Sequence, residues 1–387
     1  MPQFNGHLPD KLPGIGPSVF ATMSQLARQY QAVNLSQGFP DFPVSRELIH
    51  LVEKHMMKGA NQYAPMPGLP ALRQAISKKI ARTYGVEYDP EEEITITAGA
   101  TQAIFTAIIA TIRDGDEVIV IEPAYDSYVP AVKLCKGTVR PVHMDFPSYT
   151  IPWDEVQRTI TRDTRMIIIN SPHNPTGATI KETDMERLSQ IVKGTDLLVL
   201  SDEVYEHLIF DGQIHQSACK YPELAQRSFI MGSFGKTFHA TGWKTGYCLA
   251  PAEMMRRFRM VHQFVVFAVN TPVQHAIAEY IDNEEHYLGL PAFYQQKRDY
   301  FLEAISKSAF KPIPCQGTYF QLLDYSALAD QNDEDYAVHL IRNHGIASIP
   351  VSVFYQRPVD NHVLRFCFAK EEKTLDKAAA ILCRISA

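Results

Sequence analysis

Residues 93–123 read EITITAGATQAIFTAIIATIRDGDEVIVIEP: a short β-rich run, a turn marked by Gly99, an apolar helical stretch, a second turn at Gly115 and another β-rich run. The same alternation continues outward. YVPAVKLC (128–135) reads as helix, TVRPVHM (138–144) and RMIIINSP (165–172) as strands, KETDMERLSQIVKG (181–194) as helix, and LLVLSDE (197–203), SFIMGS (228–233) and GYCLA (246–250) as strands. Runs such as VIVI, MIII and LLVL carry no polar face, so both of their sides must be covered. Apolar strands separated by helices predict an α/β fold with a mostly parallel sheet between helical layers.

On either side of this block the pattern changes. Residues 1–43 are rich in Pro and Gly around one helical pattern near Pro17 to Gln31, which predicts an arm lying over a larger body. Leu69, Leu72, Ile76 and Ile80 form one apolar helical stripe with a stop at Gly85. From Pro251 long helices dominate. Beyond Pro312 the strand-like GTYFQLL (317–323) and HVLRFCFA (362–369) alternate with helical patterns, which predicts a second, smaller α/β unit. The expected division is an arm and part of the small unit at 1–43, a large domain at 44–285 and a small domain at 286–387.

A net charge of -6 with no Lys/Arg run gives no electrostatic footprint for nucleic acid or anionic lipid. The six cysteines lie far apart with no C-x-x-C pair, against a zinc ribbon or a disulfide framework. No apolar run approaches the roughly 20 residues of a membrane span. The expectation is a cytoplasmic protein with a small-molecule partner and no metal.

Open parallel sheets bind ligands beyond the carboxyl ends of their strands. Those ends read AGAT (98–101), EPAYDSY (122–128), NSPHNPTG (170–177), SDEVY (201–205) and GSFGKT (232–237). Singly, such residues are ordinary loop formers; five successive ends carrying them point to a site. SFGKTFHATGWKTGY (233–247) adds Lys236 and Lys244 without any acid. A phosphate-binding loop fails here, because Ile230 stands where its first glycine belongs. A serine acyl-transfer site of the S-x-x-K type matches at Ser233, Lys236 and the K-T-G of 244–246, yet no S-D-N exists. A Schiff base to pyridoxal phosphate needs a lysine, an acid facing the pyridine nitrogen and a phosphate cup. Lys236 and Lys244 supply two of these. Asp202 follows a wholly apolar run, so its carboxylate requires a cation or serves as a helix cap.

With YAPMPGLPALR (63–73), NSPHNPTG, SDEVY and SFGKTFHATGWKTGY in this order, the chain resembles the class I/II, fold-type I aminotransferases over nearly its whole length. The resemblance is nearest to kynurenine and glutamine transaminases and bacterial methionine aminotransferases. It implies pyridoxal 5'-phosphate held on Lys236, Asp202 at the pyridine nitrogen, and Asn174 and Tyr205 at the ring's phenolic oxygen. It further implies a phosphate held by Ser233, Lys244 and the N–H groups of Ala100 and Thr101, with Tyr125 stacked on the ring where Phe or Trp is commoner. Tyr63 would reach the phosphate of a neighbouring subunit, implying a homodimer. Arg365, with Asn174 and the N–H of Gly38, would bind the substrate's α-carboxylate, and Phe39 and Phe354 would line the pocket. Gln102 replaces a common glycine at the phosphate helix. The activity implied is ping-pong transfer of an amino group from an uncharged amino acid to a 2-oxo acid, since no motif places another arginine near the substrate side chain. Cysteine-conjugate β-elimination is the nearest enzymatic alternative.

Overall fold

The structure, a computed structural model, describes residues 3, 6, 8–357 and 359–386. The arm contributes helix α1 (Val19–Gln29) and the two-residue strand β1 (Val33–Asn34); helices α2 (Arg46–Met57) and α3 (Pro70–Tyr84) follow. The expected arm helix is thus present, two residues shorter at each end. The α3 stripe is realised with Leu72 and Ile76 fully buried, and the helix stops at Gly85, whose φ is +71°.

Seven strands then build the main sheet: β2 (Ile94–Thr97), β3 (Glu117–Glu122), β4 (Thr138–His143), β5 (Thr164–Asn170), β6 (Leu198–Asp202), β7 (Ser228–Ser233) and β8 (Gly246–Leu249). Their order is β2-β8-β7-β6-β5-β3-β4. Every ladder is parallel except the two made by β8. The apolar runs divide by their period of two. Ile119, Ile121, Ile167 and Ile169 enter one core, and Val118, Val120, Met166 and Ile168 enter the other on the opposite face. Helix α4 (Ala100–Thr111) packs in that second core through Ala103, Ile104, Ala107 and Ile108.

Beyond the long helices Ala252–Val265, Thr271–Tyr280 and Leu290–Ala304 lies the second sheet. Its strands are β9 (Lys311–Pro312), β10 (Phe320–Asp324), β12 (Ile349–Pro350) and β13 (Val363–Cys367), antiparallel in the order β12-β13-β10-β9. Strand β11 (Ile346–Ala347) pairs in parallel with β1 of the arm, Val33 opposite Ile346. The arm is thereby hydrogen-bonded to the C-terminal unit. Since β13 lies between two partners, Arg365 is on a central strand rather than an edge, and it is 1% exposed. No helix among the described residues is long and apolar enough to cross a membrane. The described residues also hold no cluster of three or more potential metal-binding side chains.

Candidate active site

The carboxyl ends of β5, β6 and β7 and the start of α4 face one cavity of about 150 Å³. Ala100, Thr101, Tyr125, Asn174, Asp202, Tyr205, Ser233, Lys236 and Lys244 all line it, although their sequence positions span more than a hundred residues. Register explains part of the convergence: Asn170 and Asp202 are ladder partners at the ends of β5 and β6. The Asn170 side chain donates to the Asp202 carbonyl at 2.8 Å and accepts from the Asn174 N–H at 2.8 Å, fixing the NSPHNPTG loop against the neighbouring strand.

Asp202 is buried, and the Tyr128 hydroxyl donates to its Oδ2 at 2.5 Å. Burial raises this carboxyl from 3.8 to about 6, against the pull of the Tyr128 and Val204 hydrogen bonds and of Lys236. Lys236 lies in a single helical turn, Phe234–Thr237, capped by the Ser233 Oγ accepting from the Lys236 N–H at 3.4 Å. The stretch 233–247 thus holds one helical turn near its start. Burial lowers the Lys236 amine from 10.5 to about 8; Cys367 and Asp202 oppose that shift while Arg365 and Lys244 add to it. Its Nζ donates to the Tyr319 hydroxyl at 2.8 Å and to the Gly38 carbonyl at 3.2 Å. The serine acyl-transfer arrangement requires that amine on the Ser233 hydroxyl; here the hydroxyl is a backbone cap and the amine faces elsewhere.

Lys244 has φ +51°, and a Cβ added to Gly99 would lie 3.4 Å from its Nζ. The lysine therefore reaches back across the glycine that begins α4, putting an ammonium beside a helix N-terminus. Gln102 leaves that helix start intact: its Oε1 accepts from the Ala98 N–H at 3.0 Å and its amide bonds Thr106.

The Arg365 Nη1 donates to the Asn174 Oδ1 at 2.7 Å and Nη2 to the Ser36 carbonyl at 3.3 Å, while the buried Nε has no partner. Three rings surround the guanidinium: Phe320 at 3.8 Å, Phe20 at 5.1 Å and Phe354 at 5.4 Å. Phe354, Tyr125 and Thr101 also line an adjoining cavity beneath the arm. Phe39 stands apart, its ring 5.1 Å from the Lys370 Nζ and outside the lining of either cavity. Gly38 presents its carbonyl to Lys236. Tyr63 is 82% exposed and packs edge-on against Phe267 at 5.3 Å.

Sequence reading passed over Tyr128, Tyr319, Phe20 and Asn170. Tyr128 and Asn170 stood in the quoted strand ends, where a second polar residue was a usable signal. Tyr319 and Phe20 looked like ordinary strand and helix aromatics.

Known proteins resemble this chain over nearly its whole length. The family profile of aminotransferase class I and II matches residues 30–382. The methionine aminotransferase of Escherichia coli K12 is 47% identical over 370 residues, covering 95% of this chain and 96% of that protein. Human kynurenine–oxoglutarate transaminase 1 is 33% identical over 403 residues, covering 94% and 95%. A crystal structure from Escherichia coli, reported with a methionine aminotransferase function, superposes with a TM-score of 0.96 at 46% identity, covering 98% of this chain and all of that one. With a matching profile across most of its length and relatives this similar end to end, the chain belongs to the class I and II aminotransferases.

Proposed function

We propose that this aminotransferase uses pyridoxal 5'-phosphate to move the amino group of an uncharged amino acid, with methionine and aromatic side chains foremost, to a 2-oxo acid. The observation that carries the reading is the gathering of a depressed amine, a buried carboxylate and a cationic helix start around one cavity. The donor set fits the cofactor's chemistry. Asp202 is a buried acid without a cationic hydrogen-bond partner, suited to a pyridinium, and Gly99 leaves the space in front of Lys244 that a phosphate requires.

When bound, the cofactor supplies an electron sink that acidifies the α-C–H bond of the attached amino acid. Asp202 would keep a proton on the pyridine nitrogen. The neutral Lys236 amine would take the α-proton, hold it as an ammonium and then give it back, and a pKa near 8 makes the neutral form accessible at physiological pH. Asn174 and Tyr205 would hold the ring oxygen, Tyr125 would cover the ring face, and Ser233, Lys244 and the N–H groups of Ala100 and Thr101 would hold the phosphate, all of them lining the one cavity. Arg365 offers its unpartnered Nε to the substrate carboxylate, and the Phe20, Phe320 and Phe354 rings leave the adjacent space apolar. No arginine stands among the described residues lining either cavity, and Arg365 reaches the first one through its bond to Asn174, an arrangement that favours an uncharged side chain over aspartate. The 47% identical relative, a methionine aminotransferase, supports the same class.

The reading includes a cytoplasmic homodimer. All six cysteines are free thiols. Ile49, Val52, Met56, Met57, Trp243 and Val273 line an exposed groove beside Lys244, and Phe264 is 86% exposed. In this reading a second copy covers this face and contributes its Tyr63 to the phosphate cup.

The test is a panel of amino acids scored by the spectral change of the bound cofactor. Methionine, phenylalanine, tyrosine, histidine, glutamine and kynurenine should include the fastest donors, and aspartate should rank below them. Lys236→Ala should bind cofactor yet lose turnover by at least about 10³-fold. A Lys236→Ala protein with near-normal turnover, or aspartate as best donor, defeats the proposal.

A further inference from the structure

Three atoms at the floor of the site close a ring of hydrogen bonds. Lys236 Nζ donates to Tyr319 Oη at 2.8 Å and to the Gly38 carbonyl at 3.2 Å, and Tyr319 donates to the same carbonyl at 2.6 Å. The directions in this ring are forced. A carbonyl oxygen only accepts, so the single Tyr319 proton goes to Gly38 and the hydroxyl can only accept from the lysine. A neutral amine has two N–H bonds and one lone pair. With both N–H bonds directed at Tyr319 and Gly38, the lone pair takes the one remaining tetrahedral position.

The tyrosine is held there from several sides. It is fully buried, edge-on to Tyr205 with centroids 5.1 Å apart, and beside Tyr294 at 5.9 Å. Thr318, immediately before it, has φ +66°, a strained conformation for a β-branched residue that persists only where the surroundings dictate it. The Thr318 N–H bonds the Leu208 carbonyl at 2.9 Å, and its hydroxyl accepts from the Phe320 N–H at 3.2 Å. A Cβ on Gly317 would lie 2.6 Å from Pro172 Cβ and 2.8 Å from the Leu208 carbonyl. The Gly317–Thr318 corner is thus keyed into the two loops that carry Asn174 and Tyr205.

We infer that Tyr319 is a positioning residue of the reaction: with the Gly38 carbonyl it pins both N–H bonds of the neutral Lys236 amine and so sets the direction of the lone pair that exchanges the substrate's α-proton. Taking that proton converts the lone pair into a third N–H bond and leaves the other two where they were; returning it restores the starting arrangement. The inference rests on the reading of Lys236 as the base. Burial keeps the Tyr319 phenol well above its ordinary range, so the hydroxyl stays protonated throughout.

Tyr319→Phe removes Oη and keeps the ring. Cys367, Arg365, Lys244, Asp202 and the Tyr205 ring, the other groups facing the amine, are unchanged. Losing an acceptor disfavours the charged amine, so its pKa falls further. Reductive methylation of the full-length chain without cofactor, followed across pH by peptide mass spectrometry, reads that pKa directly. Lys236 should label with a midpoint near pH 8 in the unaltered protein. In Tyr319→Phe the midpoint should drop by about half a unit or more. In the loaded enzyme kcat should fall about tenfold with KM within about twofold, and the α-deuterium isotope effect should rise. An unmoved Lys236 midpoint overturns the inference, whatever happens to turnover. Should Tyr319→Phe not fold, 3-fluorotyrosine at 319 weakens the acceptor while keeping ring and hydroxyl; it must shift the midpoint the same way, and no shift overturns the inference. Turnover by Lys236→Ala would instead defeat the base assignment while leaving the labelling result intact, so the two failures are distinguishable.

Discussion

At the end of β6 the Asp202 carboxyl is 3% exposed and holds a pKa of about 6, against 3.8 for the ordinary side chain. An acid with a raised pKa binds its proton more tightly folded than unfolded, so its penalty is absent below pH 3.8, grows between the two values and is complete above about 6. The shift corresponds to about 3 kcal/mol against folding at neutral pH. Without cofactor, Asp202→Asn should therefore melt a few degrees higher than the unaltered protein at pH 7.5, with the difference shrinking as pH falls toward 4. Added cofactor should reverse the order, because the carboxylate then meets a cation; calorimetry over that pH range checks both halves. Asp202 was legible in the sequence because an acid after LLVL is an anomaly. The Tyr128 hydroxyl that steadies it was not, since 74 residues separate the pair and only the β3–β5–β6 adjacency joins them.

Helix α3 shows the same division between element and contact. Its apolar stripe was readable from period alone, and Leu69, Leu72, Ile76 and Ile80 are all buried. Lys79 lies beside that stripe and would be read as solvated, yet it is 3% exposed and donates to Glu206 at 2.5 Å. The same carboxylate accepts from Tyr84 at 2.7 Å and from Tyr247 at 2.9 Å, which ties α3 and β8 to the loop that carries Tyr205. Burial pushes the Glu206 carboxyl up, but the Lys79 charge and the hydrogen bonds from Lys79 and Tyr84 more than offset it and hold it well below the ordinary range. Removing one member of a buried ion pair leaves the other charge uncompensated, at a cost of about 3–5 kcal/mol, whereas removing both is often nearly neutral. Glu206→Gln should lower the urea midpoint sharply; Lys79→Met combined with Glu206→Leu should recover most of it. A double variant no more stable than Glu206→Gln would mean that the tyrosine hydrogen bonds, not the charge pair, hold the helix in place.

The molecule as a whole joins two units through its site. Lys236 and Asp202 come from the main sheet, Arg365 and Tyr319 from the C-terminal unit, and Gly38 from an arm paired to that unit through β1 and β11. The layered sheet was readable from alternating runs, and the cavity's lysines and acid from strand ends. Which face Arg365 took was not, because the central place of β13 depends on pairing with β10 and β12. The dimer is a claim at this scale, and it is testable without a structure of the pair. A symmetric dimer in which Tyr63 serves the partner's site makes Lys236→Ala and Tyr63→Ala complementary defects. Each protein alone should be crippled. Mixed in equal amounts, unfolded and refolded together, half of the dimers should be hybrids; each hybrid carries one doubly defective site and one with both residues intact, so activity should return to about a quarter of the unaltered level. If Tyr63 served its own chain, every hybrid site would lack one residue and nothing would return. Recovery toward a quarter, with size-exclusion light scattering at the mass of two chains, therefore separates a shared site from a self-contained one.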